Sequence, residues 1–349
     1  MKRVVYSDIL DIDKICSVYH KIMYNTKHRN KIFDYNMFYT SNIISIYNVL
    51  KNKTYSHGKY NIFLIREPKS RIIMSESLND KIVNHLVSDY LLYYLIDKRL
   101  LDVNVATRIN KGSKASIYYM KKYLNLMKSK YGDSFYILKC DISKYFYNID
   151  HDILLSKLRK IINDIDIYSI LYNIITSTSK DYVNDEIRGI IKKYNVDVPL
   201  YIKGKGLPIG NQTSQILAIY YLNDLDHYIK EKLHIKYYIR YMDDFILIHH
   251  DKKYLKWCME CIINFLKREK LWLNKKSNII SMKNGITFLG YKYIFRNNKL
   301  YMLVPSFNKR RIKRRIDKGI TNINNYNGYL KYADASYFFH KYRDVENRF

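Results

Sequence analysis

The sequence predicts an α+β fold, and three observations support that prediction. Apolar residues recur at helical spacing over most of the first hundred residues, for example across 77–101. Short apolar runs typical of buried strands occupy the middle of the chain. Two of these runs, 237–242 and 245–249, flank an acidic pair and form a predicted hairpin. At 349 residues the chain is long enough for two or three lobes, and the absence of a low-complexity linker predicts that they pack together.

The elements follow in a regular order along the chain. Helices are predicted over 8–50, a strand over 60–66 that turns at Glu67-Pro68, and a long helix over 77–101. The apolar run 135–142 is a predicted central strand, and Asp150 is the predicted N-cap of the next helix. The remaining predicted elements are a helix between 211 and 232, the hairpin, a helix over 253–270, a strand over 286–295 and a final basic helix.

The charge of the chain restricts its partners. It carries 61 Lys and Arg against 32 Asp and Glu, a formal net charge of +29, which on a folded protein indicates a polyanionic partner such as nucleic acid or an anionic membrane. No apolar run is long enough to span a membrane, and Asp8, Asp11 and Asp13 interrupt any signal peptide. Only four cysteines are present. We therefore expect a soluble cytoplasmic protein without a disulfide framework and without a membrane partner.

Three aspartates are candidates for a metal site. Asp243 and Asp244 lie at the predicted hairpin tip between apolar segments, and Asp141 ends another strongly apolar strand. Carboxylate oxygens of this kind suit Mg²⁺, and two such ions can promote phosphoryl transfer. An isolated Asp-Asp pair in a hairpin is more commonly a solvated turn, so the interpretation depends on the neighbouring motifs.

Those motifs resemble the conserved segments of reverse transcriptases, in the same order and at similar spacing. Tyr241-Met242-Asp243-Asp244 resembles the Y-x-D-D motif, and the segment from Lys139 to Phe146 resembles the first palm motif. Residues 206–215 (GLPIGNQTSQ) resemble the second palm motif, and residues 288–291 (FLGY) resemble the primer-grip hairpin. The similarity extends from residue 60 to about residue 345, with Lys276 at the position of the following motif's lysine, although Lys275 leaves that register open.

The resemblance implies a right-hand polymerase with fingers over 1–134, a palm with an antiparallel sheet over 135–295 and a short helical thumb over 296–349. A helical insertion in the palm is expected at about 160–200. Asp141, Asp243 and Asp244 would be the catalytic residues and would hold two Mg²⁺ ions together with Ile142. The implied nucleotide-binding residues are Lys69, Arg71, Phe146, Ile209, Gly210 and Lys276. The implied nucleic-acid-binding residues are Arg108, Lys111, Asn211, Ser214, Gln215, Gly290, Arg310, Arg311, Arg314 and Arg315.

Phe146 adds a physical argument about the substrate. It lies five residues after Asp141, where similar polymerases face the sugar of the incoming nucleotide. An aromatic ring there leaves no room for a 2′-hydroxyl, which favours dNTPs over ribonucleotides. A Phe that merely packs in the core beside Tyr145 is the alternative.

The second palm motif narrows the family further. Ile209-Gly210-Asn211 followed by Ser214-Gln215 has the I-G-N-x-x-S-Q form of reverse transcriptases from diversity-generating retroelements. Ile209 lacks the hydrogen-bonding group of the more usual Gln, so selection of the nucleotide should be looser. Asn211 is predicted to cap the following helix. The resemblance also implies a template RNA, a primer or cDNA, and a small basic accessory protein as partners.

Other interpretations stay open. Arg108 and Lys111 fit a template clamp or a solvated basic loop equally well. The basic segment after Pro305, with Ser306 as its predicted N-cap, fits a thumb helix along the nucleic-acid backbone or a helix on a membrane surface. At the level of function, the alternatives are a retron-like or defence-associated bacterial reverse transcriptase and a non-catalytic RNA-binding protein with a relic site.

Overall fold

The computed structural model of the chain describes residues 4–26, 29–67 and 69–346. The helices are α1 (Ile12–Asn25), α2 (Arg29–Met37), α3 (Tyr39–Lys51), α4 (Leu78–Leu86), α5 (Tyr93–Ile96), α6 (Ser113–Tyr131), α7 (Tyr145–Asn148), α8 (His151–Arg159), α9 (Ile165–Ile175), α10 (Asp181–Tyr194), α11 (Gln212–Tyr221), α12 (Asn223–His227), α13 (Lys252–Arg268), α14 (Ser306–Asp317), α15 (Asn327–Leu330) and α16 (Ser336–Glu346). The strands are β1 (Asn61–Ile65), β2 (Arg71–Ser75), β3 (Tyr136–Asp141), β4 (Tyr237–Tyr241), β5 (Asp244–His249), β6 (Asn278–Ser281), β7 (Ile286–Phe288), β8 (Tyr291–Arg296) and β9 (Lys299–Leu303). The predicted α+β class is confirmed.

The chain divides into two compact units. The first unit consists of the chain up to Arg108, together with Ile142–Tyr228 and Ile263–Leu273. The second unit consists of Ile109–Asp141, Ile229–Ile262 and the chain from Asn274 onward. These units do not follow the boundaries expected at 134/135 and 295/296, and the division into fingers, palm and thumb stays a prediction.

Two helices of the first unit, α4 and α8, begin where the sequence predicts. The Asp11 side chain caps α1 by accepting hydrogen bonds from the backbone N–H groups of Asp13 and Lys14. The predicted helix over 77–101 begins after the N-cap Ser77 and continues from α4 through a π-helical turn, Val87–Leu92, into α5. Asp150 caps α8 by accepting from Ile153 N–H, which confirms that prediction.

The two-stranded sheet of the first unit is an antiparallel hairpin of β1 and β2. Asn61 pairs with Ser75 and Ile65 with Arg71, so Arg71 lies at the loop end of the hairpin. One face of the hairpin packs on the buried Val183 and Ile187 of α10. The predicted turn at Pro68 lies outside the described residues.

The second unit contains a four-stranded antiparallel sheet in the order β4-β5-β3-β6. Phe245, Ile246, Leu247 and Ile248 of β5 are all buried, because β5 and β3 are internal strands with both faces covered. The prediction of a central strand over 135–142 is therefore confirmed. This sheet carries all three candidate catalytic aspartates at the end of β3 and in the β4–β5 hairpin.

A three-stranded sheet, β7-β8-β9, follows in the same unit. The prediction of a single strand over 286–295 is wrong, because the chain reverses at Leu289 and Gly290, which have φ angles of 46° and 85°. Ser306 is the first residue of α14 and not its N-cap, a position that Pro305 occupies without a side-chain bond. Ile312 of α14 is buried in a cluster with Ile323 and Leu330.

Candidate active site

The register of the four-stranded sheet brings two of the predicted catalytic residues together. Asp141, the last residue of β3, is directly opposite Asp244, the first residue of β5. The turn consists of Met242 and Asp243, since Asp244 pairs with Tyr241 and is already part of the strand. Asp244 is therefore not at the hairpin tip as expected. Asp141 and Asp244 lie in a directly paired position, and Asp243 adjoins them in the turn.

Asp244 is an unfavourably placed carboxylate. Its side chain is only 24% exposed, and its Oδ1 atom is buried without a hydrogen-bond partner. Burial raises the pKa of Asp244 to about 7, and the charges of Asp141 and Asp243 act in the same direction. Lys139 opposes this shift, with its Nζ atom 3.8 Å from Asp244 Oδ2. Lys139 therefore offsets the effect of burial on Asp244 only in part.

The oxygen ligands of the three aspartates suit Mg²⁺, although the side chains do not form a preassembled coordination site. Among the described residues, no three His, Cys, Asp or Glu side chains are arranged to hold a metal ion. The orphaned Asp244 Oδ1 and the facing Asp141 nevertheless provide the hard oxygen ligands and the excess negative charge that attract Mg²⁺. Ile142 has a buried apolar side chain, so only its backbone oxygen can serve as a ligand.

Residues 274–277, directly before β6, fix the backbone of Asp141. Asn274 donates its N–H to Asp141 O at 2.7 Å, and Asp141 donates its own N–H to Ser277 Oγ at 3.1 Å. Lys276 lies between these two contacts and is exposed, with its N–H bound to Asn274 Oδ1. The predicted Lys276 therefore lies in a turn that is anchored to the end of β3.

Arg240 is a positioning residue that sequence reasoning missed. Met242, the first turn residue, has a φ angle of 57°, a left-handed conformation that costs free energy in a residue other than glycine. The fully buried Arg240 donates from Nη1 to Met242 O at 3.0 Å and so holds this turn. Nothing in the sequence indicated this role, because a buried arginine in a strand cannot be recognised from residue spacing alone.

The predicted nucleotide-binding residues of the first unit share one region. Met74 of β2 donates its N–H to Ile209 O at 2.9 Å, and Leu207 donates to Phe146 O at 2.7 Å. These two bonds tie the loop that contains Ile209 to both β2 and α7. Phe146 and Ile209 each remain partly exposed, so both side chains are accessible to a ligand.

Gly210 is required by the backbone in this loop. Its φ angle is 143°, and a Cβ atom there would lie 2.5 Å from Met74 O. Lys69 and Arg71, at the loop end of the β1–β2 hairpin, are exposed. Burial raises the pKa of Tyr147 to about 12 against the opposing effects of a backbone hydrogen bond with Ile72 and of the charge of Arg71, so the guanidinium lies near the residue after Phe146.

The expected capping role of Asn211 is wrong. Asn211 occupies the N-cap position of α11, but its side chain makes no capping bond and instead donates from Nδ2 to Tyr60 Oη at 3.0 Å. Asn211 and Ser214 are fully buried, because α11 is buried along most of its length. Of the three residues predicted to bind nucleic acid here, only Gln215 is exposed, and the side chains of the other two do not reach the surface.

Arg108 does not form a template clamp. Its side chain is 8% exposed and donates from Nε to Asp97 Oδ1 at 2.6 Å and from Nη1 to Leu101 O at 2.8 Å. These bonds close the loop that follows α5, so Arg108 has a structural role. Lys111 is partly buried, and its predicted contact with nucleic acid stays a prediction.

The remaining predicted residues lie in the C-terminal part of the second unit. Tyr329 and Asn308 both donate side-chain hydrogen bonds to Gly290 O, which fixes the β7–β8 hairpin to α14 and α15. On α14, Arg310 and Arg314 are exposed, whereas Arg311 and Arg315 are partly buried. α14 therefore presents two of the four predicted arginines fully to solvent.

These features can be compared with known proteins. A family model described as "Reverse transcriptase (RNA-dependent DNA polymerase)" matches residues 49–293, well over half of the chain. The chain belongs to the reverse transcriptase family. The match includes all three candidate catalytic aspartates of this reverse transcriptase. Curated proteins provide no match.

Two solved structures are similar to this reverse transcriptase. The telomerase of Candida albicans, in complex with a TWJ fragment of telomeric RNA, has a TM-score of 0.53 and 14% identity and covers 73% of this chain. Apo telomerase of Candida tropicalis, truncated from its C-terminal domain, has a TM-score of 0.50 and 14% identity and covers 76% of this chain. The chain spans 46% and 60% of these two telomerase chains. At this identity the likeness shows the fold, and the predicted reverse-transcriptase type of polymerase fold is confirmed.

The matched family model is described as that of RNA-dependent DNA polymerases, which agrees with the predicted enzyme class. No helix within the described ranges combines the length and the apolar character needed to cross a membrane.

The raised pKa of Asp244 predicts a pH-dependent stability in a metal-chelating buffer. Because the folded-state pKa is above the ordinary value of an aspartate side chain, stability falls as pH rises from about 4 to about 7. Asp244→Asn removes this penalty. At pH 8 the variant should unfold with a free energy higher than that of wild type by about 1 to 4 kcal/mol, and the gap should narrow towards pH 5. Urea denaturation at both pH values measures this gap, and an equal gap at both would contradict the assignment.

Arg240→Met should destabilise the protein by about 2 to 4 kcal/mol, because the turn at Met242 loses its buried donor. Arg296→Met, at an exposed position, is the matched control and should change stability by less than about 0.5 kcal/mol. Urea denaturation compares the two variants. Equal stability of both would show that Arg240 does not hold the turn.

Proposed function

We propose that the protein synthesises DNA from dNTPs on an RNA template, with Asp141, Asp243 and Asp244 as its catalytic residues. The observation that carries this proposal is the β3–β5 register, which pairs Asp141 with Asp244 next to Asp243 in a site of excess negative charge. A protein that only bound RNA would gain nothing from clustered carboxylates, since they repel phosphate. The register therefore favours a catalytic protein over a relic site.

Each residue has a defined task in this proposal. Asp141, Asp243 and Asp244, with the backbone oxygen of Ile142, would hold two Mg²⁺ ions, and these would supply Lewis-acid activation of the primer 3′-hydroxyl and of the leaving pyrophosphate. Lys69 and Arg71 bind the triphosphate of the incoming nucleotide, and Arg71 is suited to this by its forked guanidinium. Lys276, exposed next to the anchored end of β3, neutralises or protonates the pyrophosphate. Arg310 and Arg314 of α14 contact the backbone of the primer–template, with Arg311, Arg315, Lys111 and Gln215 as further contacts.

Phe146 selects the sugar of the nucleotide. Its ring stacks edge-to-face on Tyr145 with centroids 5.9 Å apart, and the Tyr145 hydroxyl is anchored on Ala218 O. Lys144, directly before α7, has a left-handed backbone conformation with a φ angle of 46°, so the chain turns sharply where α7 begins. A ring held in this way presents a fixed surface that excludes a 2′-hydroxyl.

The biological role we propose is that of an error-prone bacterial enzyme of a diversity-generating retroelement. The I-G-N-x-x-S-Q form of the second palm motif supports this role, and so does the apolar, partly exposed Ile209 next to β2. The partners would be a structured template RNA, a primer or nascent cDNA and a small basic accessory protein. A neighbouring gene with variable repeats would distinguish this role from that of a retron-like or defence-associated enzyme.

Replacing Asp243 and Asp244 together tests the catalytic assignment. Asp243→Asn with Asp244→Asn should reduce extension of a DNA primer on an RNA template in Mg²⁺ to below about 1% of wild type, because the variant loses two metal ligands. RNA affinity should stay nearly unchanged. Asp185→Asn, at an exposed position of α10, is the matched control. Substantial extension by the double variant would overturn the site.

Phe146→Ala should admit ribonucleotides, since it opens volume only beside the sugar. We expect rNTP incorporation to rise by about tenfold or more relative to dNTP incorporation. Single-nucleotide incorporation on an RNA template measures this ratio. Rejection of rNTPs by the variant would mean that Phe146 is only a packing residue.

Ile209→Gln should improve base selection by restoring one hydrogen-bonding group, worth about 1 to 1.5 kcal/mol, or roughly tenfold in misincorporation. Ile209→Leu is the matched apolar control and should behave as wild type. Misincorporation is measured for each dNTP opposite each template base. An unchanged error rate for Ile209→Gln would remove the physical argument for an error-prone enzyme.

A further inference from the structure

A continuous row of aromatic rings lies at the opposite end of the four-stranded sheet from the aspartates. We call it the distal aromatic patch and define it as Tyr131, His249, His250, Tyr254 and Trp257. β5 runs from Asp244 to His249, which places the patch about 17 Å along the strand from the carboxylate pair. All five residues belong to the second unit. The patch is therefore separate from the site already described.

The rings of the patch are ordered against each other. Tyr131 and His250 stack almost parallel, with centroids 4.4 Å apart and an interplanar angle of 6°. His249 contacts His250 at 4.4 Å and Tyr254 at 4.8 Å, and Tyr254 contacts Trp257 at 5.4 Å. The Tyr254 hydroxyl donates to Leu233 O at 2.8 Å, which anchors the middle of the row.

Two members of the row, His250 and Trp257, are open to solvent. His250 is exposed, and Trp257 is 47% exposed although its indole is one of the largest apolar side chains. An exposed aromatic group that is held in place by its neighbours provides a flat surface at low cost in conformational entropy. A planar ligand can therefore stack on this surface without reordering it.

Positive charge surrounds the patch. Lys252, Lys253 and Lys256 of α13 are exposed, and Lys130 Nζ lies 5.1 Å above the Tyr131 ring. The carboxylates near the patch are fewer, namely Asp251, Asp133 and the exposed Glu260 of α13. Asp251 accepts hydrogen bonds from the N–H groups of Lys253 and Tyr254, and Asp133 pairs with Lys128 at 2.6 Å. The lysines therefore give the patch a net positive charge.

Aromatic faces among lysines match single-stranded nucleic acid, whose bases stack on rings while its phosphates pair with cations. Duplex nucleic acid matches poorly, because its bases are already stacked on one another. We infer that the distal aromatic patch binds single-stranded RNA by stacking an unpaired base on Trp257 and by contact of the RNA with the exposed part of His250. This inference goes beyond the proposed function, since RNA binding at the patch requires neither dNTP substrates nor a metal ion.

Binding of a fluorescein-labelled U12 RNA to the full chain, measured by fluorescence anisotropy in EDTA, tests the inference. His250→Ala with Trp257→Ala should weaken binding by about fivefold to tenfold, the expected loss for a stacked base. His250→Ala with Trp257→Phe should recover most of the affinity that Trp257 provides. Tyr24→Ala, an exposed aromatic position of α1 that is 91% exposed, is the matched control and should bind as wild type.

Crosslinking shows where on the protein the RNA binds, which separates the patch from other RNA-binding surfaces. U12 containing 4-thiouridine should crosslink to His250, Trp257 or their immediate neighbours, and a 12-base-pair RNA duplex should not compete for these crosslinks. Unchanged affinity of the alanine variant with crosslinks elsewhere would overturn the inference. The inference would also be overturned if the alanine variant bound RNA as wild type does but lost binding to phosphatidylserine vesicles or to an acidic protein. Primer extension on a short primer–template should be unchanged in the alanine variant, so this result is independent of the catalytic assignment.

Discussion

The antiparallel pairing of β3 with β5 is the constraint on which the candidate active site depends. It puts Asp141 directly opposite Asp244, at a separation where two carboxylates repel each other, in a sheet whose internal strands are buried on both faces. The unfavourable charge is visible in the pKa of Asp244, which burial raises to about 7. Lys139 compensates only in part. A site that keeps such a penalty is explained by a ligand that removes it.

The surrounding structure keeps this arrangement from relaxing. Asn274 and Ser277 hold the backbone of Asp141 on one side, and Arg240 holds the strained turn at Met242 on the other. In the first unit, backbone bonds play the corresponding role, since Met74 and Leu207 fix the loop of Ile209 and Gly210. The residues that touch substrate in our proposal are thus positioned mainly by backbone atoms, and these contacts depend on fold more than on side-chain identity.

Much of the fold and of the acidic site could be predicted from the sequence, because local patterns of apolar and turn residues determine those elements. Apolar periodicity located β3, β5 and most helices, and the turn residues marked the acidic hairpin. The exact turn was not predictable to one residue, since Asp244 joins the strand only through its pairing with Tyr241 and Asp141. Asn211 has the chemistry of an N-cap, but Tyr60, 151 positions earlier in the chain, provides a competing partner. The structural role of Arg108 was not predictable either, because its partner Asp97 is eleven residues away and meets it only in the folded loop. Long-range partners of this kind leave no periodic signal.

Metal-directed cleavage tests the central claim most directly. When Fe²⁺ replaces Mg²⁺ in the presence of ascorbate and peroxide, radicals formed at the metal cut the chain close to its ligands. We predict cuts near residues 141 and 243–244, which excess Mg²⁺ suppresses and Asp141→Asn abolishes. Cuts elsewhere in the chain, or the same cuts in Asp141→Asn, would contradict the account, because the paired aspartates would then not be the metal site.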